Sequence, residues 1–121
     1  HPAPGVTFVP HLIPMTRGIL TTAYAKLTGK QTQAELMSLY RNFYKNEPFV
    51  RVAEASPHTK HTWGNNFCIV YPTIDIRQNR LIAISAIDNL VKGAAGQAIQ
   101  NMNLMFGYPE TMGLEALGVY P

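Results

Sequence analysis

Charged residues are scarce in this sequence. Asp, Glu, Lys and Arg make up 14% of the 121 residues, against about 25% in an average soluble domain. The ten Lys and Arg residues stand singly, so the formal charge of +3 is not gathered into the basic patch with interleaved aromatics that nucleic-acid surfaces display. No nucleic-acid partner is therefore expected. Such a poorly charged surface indicates that part of it is covered, either by another subunit or by a further part of the same protein.

Cysteine and long apolar runs are scarce as well. A single Cys68 excludes an internal disulfide and suits a reducing compartment. No apolar run approaches the roughly 18 residues of a membrane-spanning helix, so we predict a cytoplasmic protein with no membrane partner. The start, HPAPGVTF, has neither an initiator methionine nor the features of a signal peptide. Such an N-terminal sequence is expected of a chain that begins inside a larger protein, although proteolytic processing would give the same start.

Strand patterns account for much of the chain. Gly5 to Ile13 alternates in polarity but contains Pro10, which indicates an edge strand or a bulge. Leu81 to Ile87 is almost continuously apolar, as expected of a strand buried on both faces. Three more segments are predicted to be strands: Arg17 to Leu27, Phe49 to Ala53 and Phe67 to Ile76. A hairpin turn is expected to join the last of these to the strand that begins at Leu81.

The first predicted helix opens at Thr32. Glu35 follows at the spacing of a capping box, in which each side chain accepts a hydrogen bond from a free backbone N–H group. Pro48 is expected to stop the helix, because the residue before a proline disfavours helical conformation. Four residues at helical spacing make one face of this helix apolar: Leu36, Leu39, Tyr40 and Phe43.

The second predicted helix begins at Asp88 or Asn89 and ends at Phe106, with a terminating glycine next. Its first turns, Gly93-Ala94-Ala95-Gly96, lack bulk, although a glycine inside a helix costs about 1 kcal/mol. The residues alone favour a capping role for Asp88 or Asn89 and close packing on a sheet. A helix N-terminus with an asparagine amide also suits a ligand's carboxamide, so that alternative stays open.

The element order and its hairpin-type connections predict one α+β domain over residues 1–121. Its sheet is expected to be mixed and mainly antiparallel, with helices on one face. The tail, GYPETMGLEALGVYP, is expected to be ordered only where it docks on the rest of the chain.

No complete catalytic motif is present. The four histidines lack cysteine or carboxylate neighbours at ligand spacing and are predicted to be loop residues: His1, His11, His58 and His61. Cys68, within an apolar strand, fits a buried structural thiol better than a nucleophile. Paired carboxylates, a serine elbow, a phosphate loop and a complete dinucleotide fingerprint are missing. We therefore predict no catalytic residue and no metal site in this chain.

Two long motifs resemble a known family. Asp88 to Leu104 (DNLVKGAAGQAIQNMNL), followed by Phe106-Gly107 and Glu110-Thr111, is similar to the carboxy-terminal part of N-acetyl-gamma-glutamyl-phosphate reductases. Phe8 to Thr22 (FVPHLIPMTRGILTT) resembles the same family, and Gly64 to Cys68 (GNNFC) does so more loosely. The resemblance covers nearly the whole chain, in order.

The resemblance implies an NADPH-dependent reduction of an acyl phosphate to an aldehyde in arginine biosynthesis, with release of phosphate. A cysteine thiolate would attack the acyl phosphate and a histidine would serve as its acid–base partner. The fold would resemble those of glyceraldehyde-3-phosphate and aspartate-semialdehyde dehydrogenases, with a Rossmann domain and an α+β interface domain. Neither the family's Pro-Gly-Cys-Tyr-like motif nor its His-x-His-x-Pro-Glu-like motif occurs here, and Cys68 and His11 do not match them.

The chain is therefore expected to be the interface domain of a homo-oligomeric reductase, inactive without its missing Rossmann domain. Residues 88–107 are expected to pack on that domain in the complete enzyme. In this chain the helix is expected to pack partly on its own sheet and to expose an apolar stripe formed by Leu90, Ala94, Ala98 and Met102. Two alternatives remain: a stand-alone oligomerisation module, and a fragment of an aspartate-semialdehyde dehydrogenase.

Few site residues can be assigned through the resemblance. Asn89 matches the asparagine that lies near the nicotinamide carboxamide of the cofactor. Gly93 would let the backbone approach the cofactor without a clash. Arg17 could face the anionic substrate, although a structural ion pair is the favoured role.

Overall fold

The computed structural model describes residues 5–119, so that His1 lies outside the described part. A four-stranded sheet has the order β1-β4-β3-β2. Its strands are β1 (Ile19–Lys26), β2 (Val50–Val52), β3 (Cys68–Asp75) and β4 (Arg80–Ile87). The pairs β1–β4 and β4–β3 are antiparallel, whereas β2 runs parallel to β3. The predicted mixed, mainly antiparallel sheet is confirmed, as is the hairpin between β3 and β4.

The segment before β1 is not a strand, and the prediction for Gly5 to Ile13 was wrong. Residues 5–18 pair with no other strand within the described range. Pro10 and Pro14 each remove an N–H donor from this short stretch, and its apolar side chains have no cover among residues 5–119. Phe8 is 82% exposed and Leu12 is fully exposed. Alternating polarity alone therefore did not identify a strand here.

The first helix, α1 (Gln33–Phe43), begins as predicted. The backbone N–H of Glu35 donates to Thr32 Oγ1 at 3.2 Å, and the backbone N–H of Thr32 donates to Glu35 Oε2 at 2.8 Å. These two bonds form the capping box. The helix ends at a cap on Tyr44, before the chain reaches Pro48, so proline is not what terminates it.

Burial in the fold is less complete than the apolar patterns predicted. In α1, Leu36 is buried but Leu39 is 55% and Phe43 is 74% exposed. In β4 only Ala86 is buried, and the continuous apolar run is otherwise half-buried. The neighbouring strand β1 is exposed along all eight of its residues. The expectation that β4 is covered on both faces was wrong, because nothing in residues 5–119 forms the covering layer.

The last helix starts as a π-helical turn, Val91–Ala95, and continues as α2 (Gly96–Phe106). Gly107 ends it in the left-handed conformation, with φ of 72°, as predicted. The tail then docks on the helix. The side-chain amide of Asn103 donates to the carbonyl oxygens of Glu110, at 3.2 Å, and Met112, at 2.9 Å.

An apolar stripe on the last helix is exposed, as predicted. Leu90 is 54% and Met102 is 45% exposed, and Ala94 and Ala98 between them are exposed too. Within residues 5–119, no helix is both long and apolar enough to span a bilayer.

Candidate functional site

Asp88 follows the end of β4 and is completely buried. Its Oδ1 accepts hydrogen bonds from the backbone N–H groups of Leu90, at 2.7 Å, and Val91, at 2.9 Å. These are free donors at the start of a helix, which a carboxylate satisfies well. Of the two capping residues proposed from the sequence, Asp88 is therefore the one that caps.

The other oxygen of Asp88 ties two distant segments to the helix start. Oδ2 accepts a hydrogen bond from the backbone N–H of Gly64 at 2.7 Å. It also lies 2.6 Å from Nε of Arg17, in an ion pair whose N–H group is not aligned for a hydrogen bond. The indole N–H of Trp63 donates to the Arg17 carbonyl oxygen at 3.1 Å. The structural ion pair favoured for Arg17 is confirmed.

Opposing effects act on the pKa of Asp88. Burial raises this pKa, but the N–H groups of Gly64, Val91 and Leu90, together with Arg17, lower it further than burial raises it. The net pKa lies below the ordinary value for an aspartate. The group is therefore held as a carboxylate, which keeps the three segments joined at neutral pH.

Asn89 lies at the edge of a cleft. Its Oδ1 accepts the backbone N–H of Gly18 at 2.7 Å, and Gly18 adopts φ of 104°, which favours glycine. The cleft has a volume of about 470 Å³ and is lined by Asn89 and by side chains of the 11–20 segment. Because Oδ1 is engaged, the remaining group of the amide is the Nδ2 donor, which has no acceptor within residues 5–119.

The two glycines of the last helix face different surroundings. Gly93 is exposed, and a β-carbon added there would lie 3.2 Å from the Asp88 carbonyl oxygen and 3.5 Å from a methyl group of Ile87. Gly96 is buried, and a β-carbon there would overlap Asn66 Oδ1 and lie 2.7 Å from the Val91 carbonyl oxygen. The close approach inferred from the sequence is thus made at Gly96, by this chain itself.

A polar cluster that the sequence reasoning missed lies beside Gly96. Gln100 Oε1 accepts hydrogen bonds from Asn66 Nδ2, at 3.1 Å, and from Lys92 Nζ, at 2.6 Å. Gln100 Nε2 donates to Glu110 Oε1 at 2.6 Å. The available signal was the spacing of two polar residues three positions apart, Gln100 and Asn103, which places them on one face of the helix; both are buried. This cluster joins α2 to Asn66, in the loop before β3, and to Glu110, in the tail.

Cys68 and Lys92 influence each other next to this cluster. Burial raises the pKa of the Cys68 thiol, while the charge of Lys92 acts in the opposite direction. Burial likewise lowers the pKa of Lys92, while the nearby ionisable groups of Cys68, Glu110 and Glu47 act in the opposite direction. A half-buried thiol with a raised pKa is a poor nucleophile, in agreement with a structural role.

The described histidines lie on the surface. His58 and His61 flank and occupy the short 3-10 turn Thr59–Thr62 and are exposed, with ring centroids 5.2 Å apart. His11 is exposed in the segment before β1. Across residues 5–119, His, Cys, Asp and Glu side chains nowhere form a group of three or more that could hold a metal ion.

Sequence relatives confirm the resemblance to reductases. The chain is 58% identical over 118 residues to an N-acetyl-gamma-glutamyl-phosphate reductase of Dehalococcoides mccartyi, with 98% of the chain and 35% of the relative aligned. It is 60% identical over 118 residues to the enzyme of that name from Geobacter metallireducens, with 96% of the chain and 34% of the relative aligned. The chain thus spans about a third of the length of these relatives.

Solved structures support the fold. Aspartate semialdehyde dehydrogenase II from Vibrio cholerae superposes with a TM-score of 0.62 over 78% of this chain and 29% of its own, at 17% sequence identity. At this low sequence identity, the similarity indicates a shared fold but says nothing about the substrate.

The family follows from the largest match. A family model described as the semialdehyde dehydrogenase dimerisation domain covers residues 2–89, which includes all four strands and α1. Together with the reductase relatives and the shared fold, this match shows that the chain belongs to the semialdehyde dehydrogenase dimerisation-domain family.

Proposed function

We propose that this chain is the interface domain of an NADPH-dependent reductase that converts N-acetylglutamyl phosphate to N-acetylglutamate semialdehyde and phosphate in arginine biosynthesis. The observation that carries the proposal is 58–60% identity, over nearly the whole chain, to proteins named N-acetyl-gamma-glutamyl-phosphate reductase. Membership of an aspartate-semialdehyde dehydrogenase is the less favoured alternative, because the chain is 17% identical in sequence to that enzyme. A single cysteine fits the cytoplasm as the compartment of this activity.

Two partners complete the proposed enzyme. A Rossmann domain of the same polypeptide would cover the apolar stripe of the last helix, where Leu90 and Met102 are about half exposed. A second copy of the chain would cover part of the sheet, where Leu20 is 52% and Tyr24 is 63% exposed on the uncovered strand β1. Apolar surface of this extent favours a covering partner.

The residues at the cleft fit one end of the proposed cofactor. NADPH supplies hydride from its nicotinamide ring, and this ring carries a carboxamide. Asn89 has its Oδ1 fixed by Gly18, which leaves its Nδ2 to donate to a carboxamide oxygen. We propose Asn89 as a cofactor-binding residue on this basis. Gly93, exposed at the start of the helix, would allow the cofactor to approach the backbone closely.

The direct test is an assay of the full-length polypeptide. We expect NADPH oxidation with N-acetylglutamyl phosphate and little with aspartyl phosphate, whereas the isolated 121-residue chain is expected to be inactive with both. Turnover by the isolated chain would contradict the assignment as an interface domain. Turnover that favours aspartyl phosphate would replace the substrate with that of the related dehydrogenase.

A second test is genetic. The DNA immediately upstream of the codon for His1 is expected to continue in frame through a cysteine-containing motif and a glycine-rich dinucleotide motif. A start codon at that point would instead support a stand-alone oligomerisation module.

A further inference from the structure

The tail runs from the end of α2 back to the turn before β3. Near its start, the side-chain amide of Asn103 donates to the carbonyl oxygens of Glu110 and Met112. Further along, the backbone N–H of Val119 donates to the carbonyl oxygen of Trp63 at 2.8 Å. The tail thus joins the end of α2 to a turn that also contacts the start of the last helix.

Gly118 and Val119, the tail end, fit closely against that turn. A β-carbon added to Gly118 would lie 2.7 Å from Nδ2 of Asn65, and one added to Gly64 would lie 2.8 Å from a methyl group of Val119. Both distances are shorter than van der Waals contact. Gly64 also adopts φ of 77°, which favours glycine. The two glycines therefore allow the tail end and the turn to approach each other this closely.

One peptide unit links the turn to the side chain of Asn89. The carbonyl oxygen of Arg17 accepts a hydrogen bond from the indole N–H of Trp63 at 3.1 Å. On the other side of the same peptide bond, the N–H of Gly18 donates to Asn89 Oδ1 at 2.7 Å. Because a peptide unit is planar and rigid, a shift of Trp63 changes the direction of the N–H that fixes Asn89. A β-carbon on Gly18 would lie 2.7 Å from Cβ of Thr59, so this unit has little room to move independently.

A second connection reaches Asn89 through the backbone. The N–H of Gly64 donates to Asp88 Oδ2 at 2.7 Å, and Asp88 is completely buried and directly precedes Asn89. Trp63 and Gly64, adjacent in sequence, therefore hold the side chain and the backbone of Asn89 respectively. The tail end contacts both of these turn residues.

We propose that the tail end positions the cofactor site: by holding the turn at Trp63 and Gly64, it keeps the Nδ2 donor of Asn89 in place for the carboxamide of the nicotinamide ring. Gly118 and Val119 are positioning residues, which act through the turn. The identity of the cofactor rests on the proposed function, whereas the link from the tail to Asn89 rests on the hydrogen bonds of the fold.

Val119→Pro tests the link at its outer end. Proline lacks the N–H that bonds to Trp63, and position 119 is 70% exposed, so the packed interior is left intact. Val119→Ala keeps the N–H and is the conservative control. Calorimetry on the full-length protein measures two probes: NADPH, and its fragment 2′-phospho-ADP-ribose, which lacks the nicotinamide ring.

Only one combination of variant and probe is expected to change. Val119→Pro should weaken NADPH binding about three- to tenfold, the usual effect of one lost hydrogen bond. Binding of the fragment, and of both probes to Val119→Ala, should stay at the wild-type level. Unchanged NADPH binding by Val119→Pro would overturn the proposal. Equal weakening of both probes would overturn it as well, because the nicotinamide end would then have no special part in the effect.

A double variant tests whether the tail end acts through Asn89. Asn89→Ala removes the amide and is expected to weaken NADPH binding by itself. If Val119 acts only by positioning that amide, the double variant should bind NADPH as weakly as Asn89→Ala alone and no more weakly. Fully additive losses would contradict the proposed route.

Hydrogen exchange separates this inference from the proposed function. The amide of Gly18, which donates to Asn89, is expected to exchange several-fold faster in Val119→Pro and at the wild-type rate in Val119→Ala. Unchanged exchange in Val119→Pro would overturn the link between the tail end and Asn89, whatever the cofactor is. If the wild-type protein binds no NADPH, the proposed function fails, while the exchange of Gly18 still decides whether the link exists. If Val119→Pro does not fold, Gly118→Ala takes its place with the same expectations, because its methyl group would push the tail end away from Asn65.

Discussion

Asn66 Oδ1 lies against Gly96, in the space that a β-carbon at position 96 would occupy. Asn66 is fully buried, and this oxygen accepts no hydrogen bond from residues 5–119. Its amide nitrogen, in contrast, donates to Gln100. The asparagine is thus held by α2 and packs on the hydrogen atoms of a glycine, so the absence of bulk at Gly96 is required by the fold itself.

The first prediction is that Gly96→Ala destabilises the protein. Position 96 has helical backbone angles, where alanine would ordinarily be more stable than glycine by about 1 kcal/mol. Here the new methyl group would overlap Asn66 and crowd the Val91 carbonyl oxygen at 2.7 Å. We expect a net loss of about 1–3 kcal/mol in the free energy of unfolding, as for other overpacked sites, measured by urea denaturation of the full-length protein.

Gly93→Ala is the matched control for that substitution. It makes the same chemical change in the same helix, but its nearest contact is 3.2 Å, which small shifts can relieve. We expect it to cost clearly less than Gly96→Ala. Equal losses for the two variants would show that helix propensity or flexibility, and not the contact with Asn66, determines the effect.

Local signals in the sequence were sufficient for several elements. The Thr32 and Glu35 pair predicted the first helix start because a capping box is built from residues that are neighbours in sequence. The β3–β4 hairpin and the glycine stop at Gly107 also depend on a few adjacent residues. The capping of the last helix by Asp88 is local as well, because its Oδ1 accepts from backbone N–H groups two and three residues further along the chain.

Features that depend on distant segments could not be predicted in the same way. The ion pair of Arg17 with Asp88 and the contact of Gly64 with Asp88 require the sheet to bring three segments together. The exposure of Leu39 and the half-burial of β4 depend on which layers are present, which periodicity cannot reveal. Apolar residues identify surface that some partner covers, without identifying the partner.

The second prediction concerns acid. Because the folded-state pKa of Asp88 is lowered, its carboxylate stabilises the fold above the unfolded pKa of about 3.9. This contribution is lost as the pH falls through the folded-state pKa. We expect Asp88→Asn to lower the melting temperature strongly at pH 7, and progressively less as the pH falls below the unfolded pKa of about 3.9 towards the lowered folded-state pKa. A gap between variant and wild type that stays constant with pH would contradict the role of the charge.

The third prediction concerns the capping box of α1. Thr32→Ala removes the oxygen that accepts the Glu35 N–H and is expected to cost about 1 kcal/mol. Hydrogen exchange of the amides of Glu35 and Leu36 should speed up accordingly. Thr32→Ser keeps the hydroxyl group and serves as the control. If serine and alanine accelerate exchange equally, the hydroxyl does not cap the helix.

The fourth prediction concerns the reactivity of Cys68. Burial raises the pKa of its thiol, and Lys92 partly offsets the effect. Replacing this cation by Lys92→Met should therefore raise the pKa further and leave less of the reactive thiolate at pH 8. We expect iodoacetamide to modify the peptide containing Cys68 several-fold more slowly, as measured by mass spectrometry of the native protein. Lys60→Met, which alters a lysine over the ring of Trp63, is the control and should leave the rate unchanged. Faster modification in Lys92→Met would show that Lys92 does not lower the pKa of the Cys68 thiol.

The fifth prediction tests what covers the last helix. Met102 is 45% exposed on the apolar stripe, so Met102→Glu would place a charge in the proposed contact with the Rossmann domain. Burying an unpaired charge is costly, and the two domains should therefore separate more readily. We expect faster hydrogen exchange along α2 and faster proteolysis between the domains in the full-length protein. Asn101→Glu adds the same charge at the exposed neighbouring position and should leave both rates near those of the wild type. If the two glutamate variants behave alike, the stripe is not buried against another domain, and its apolar residues remain on the surface of the complete protein.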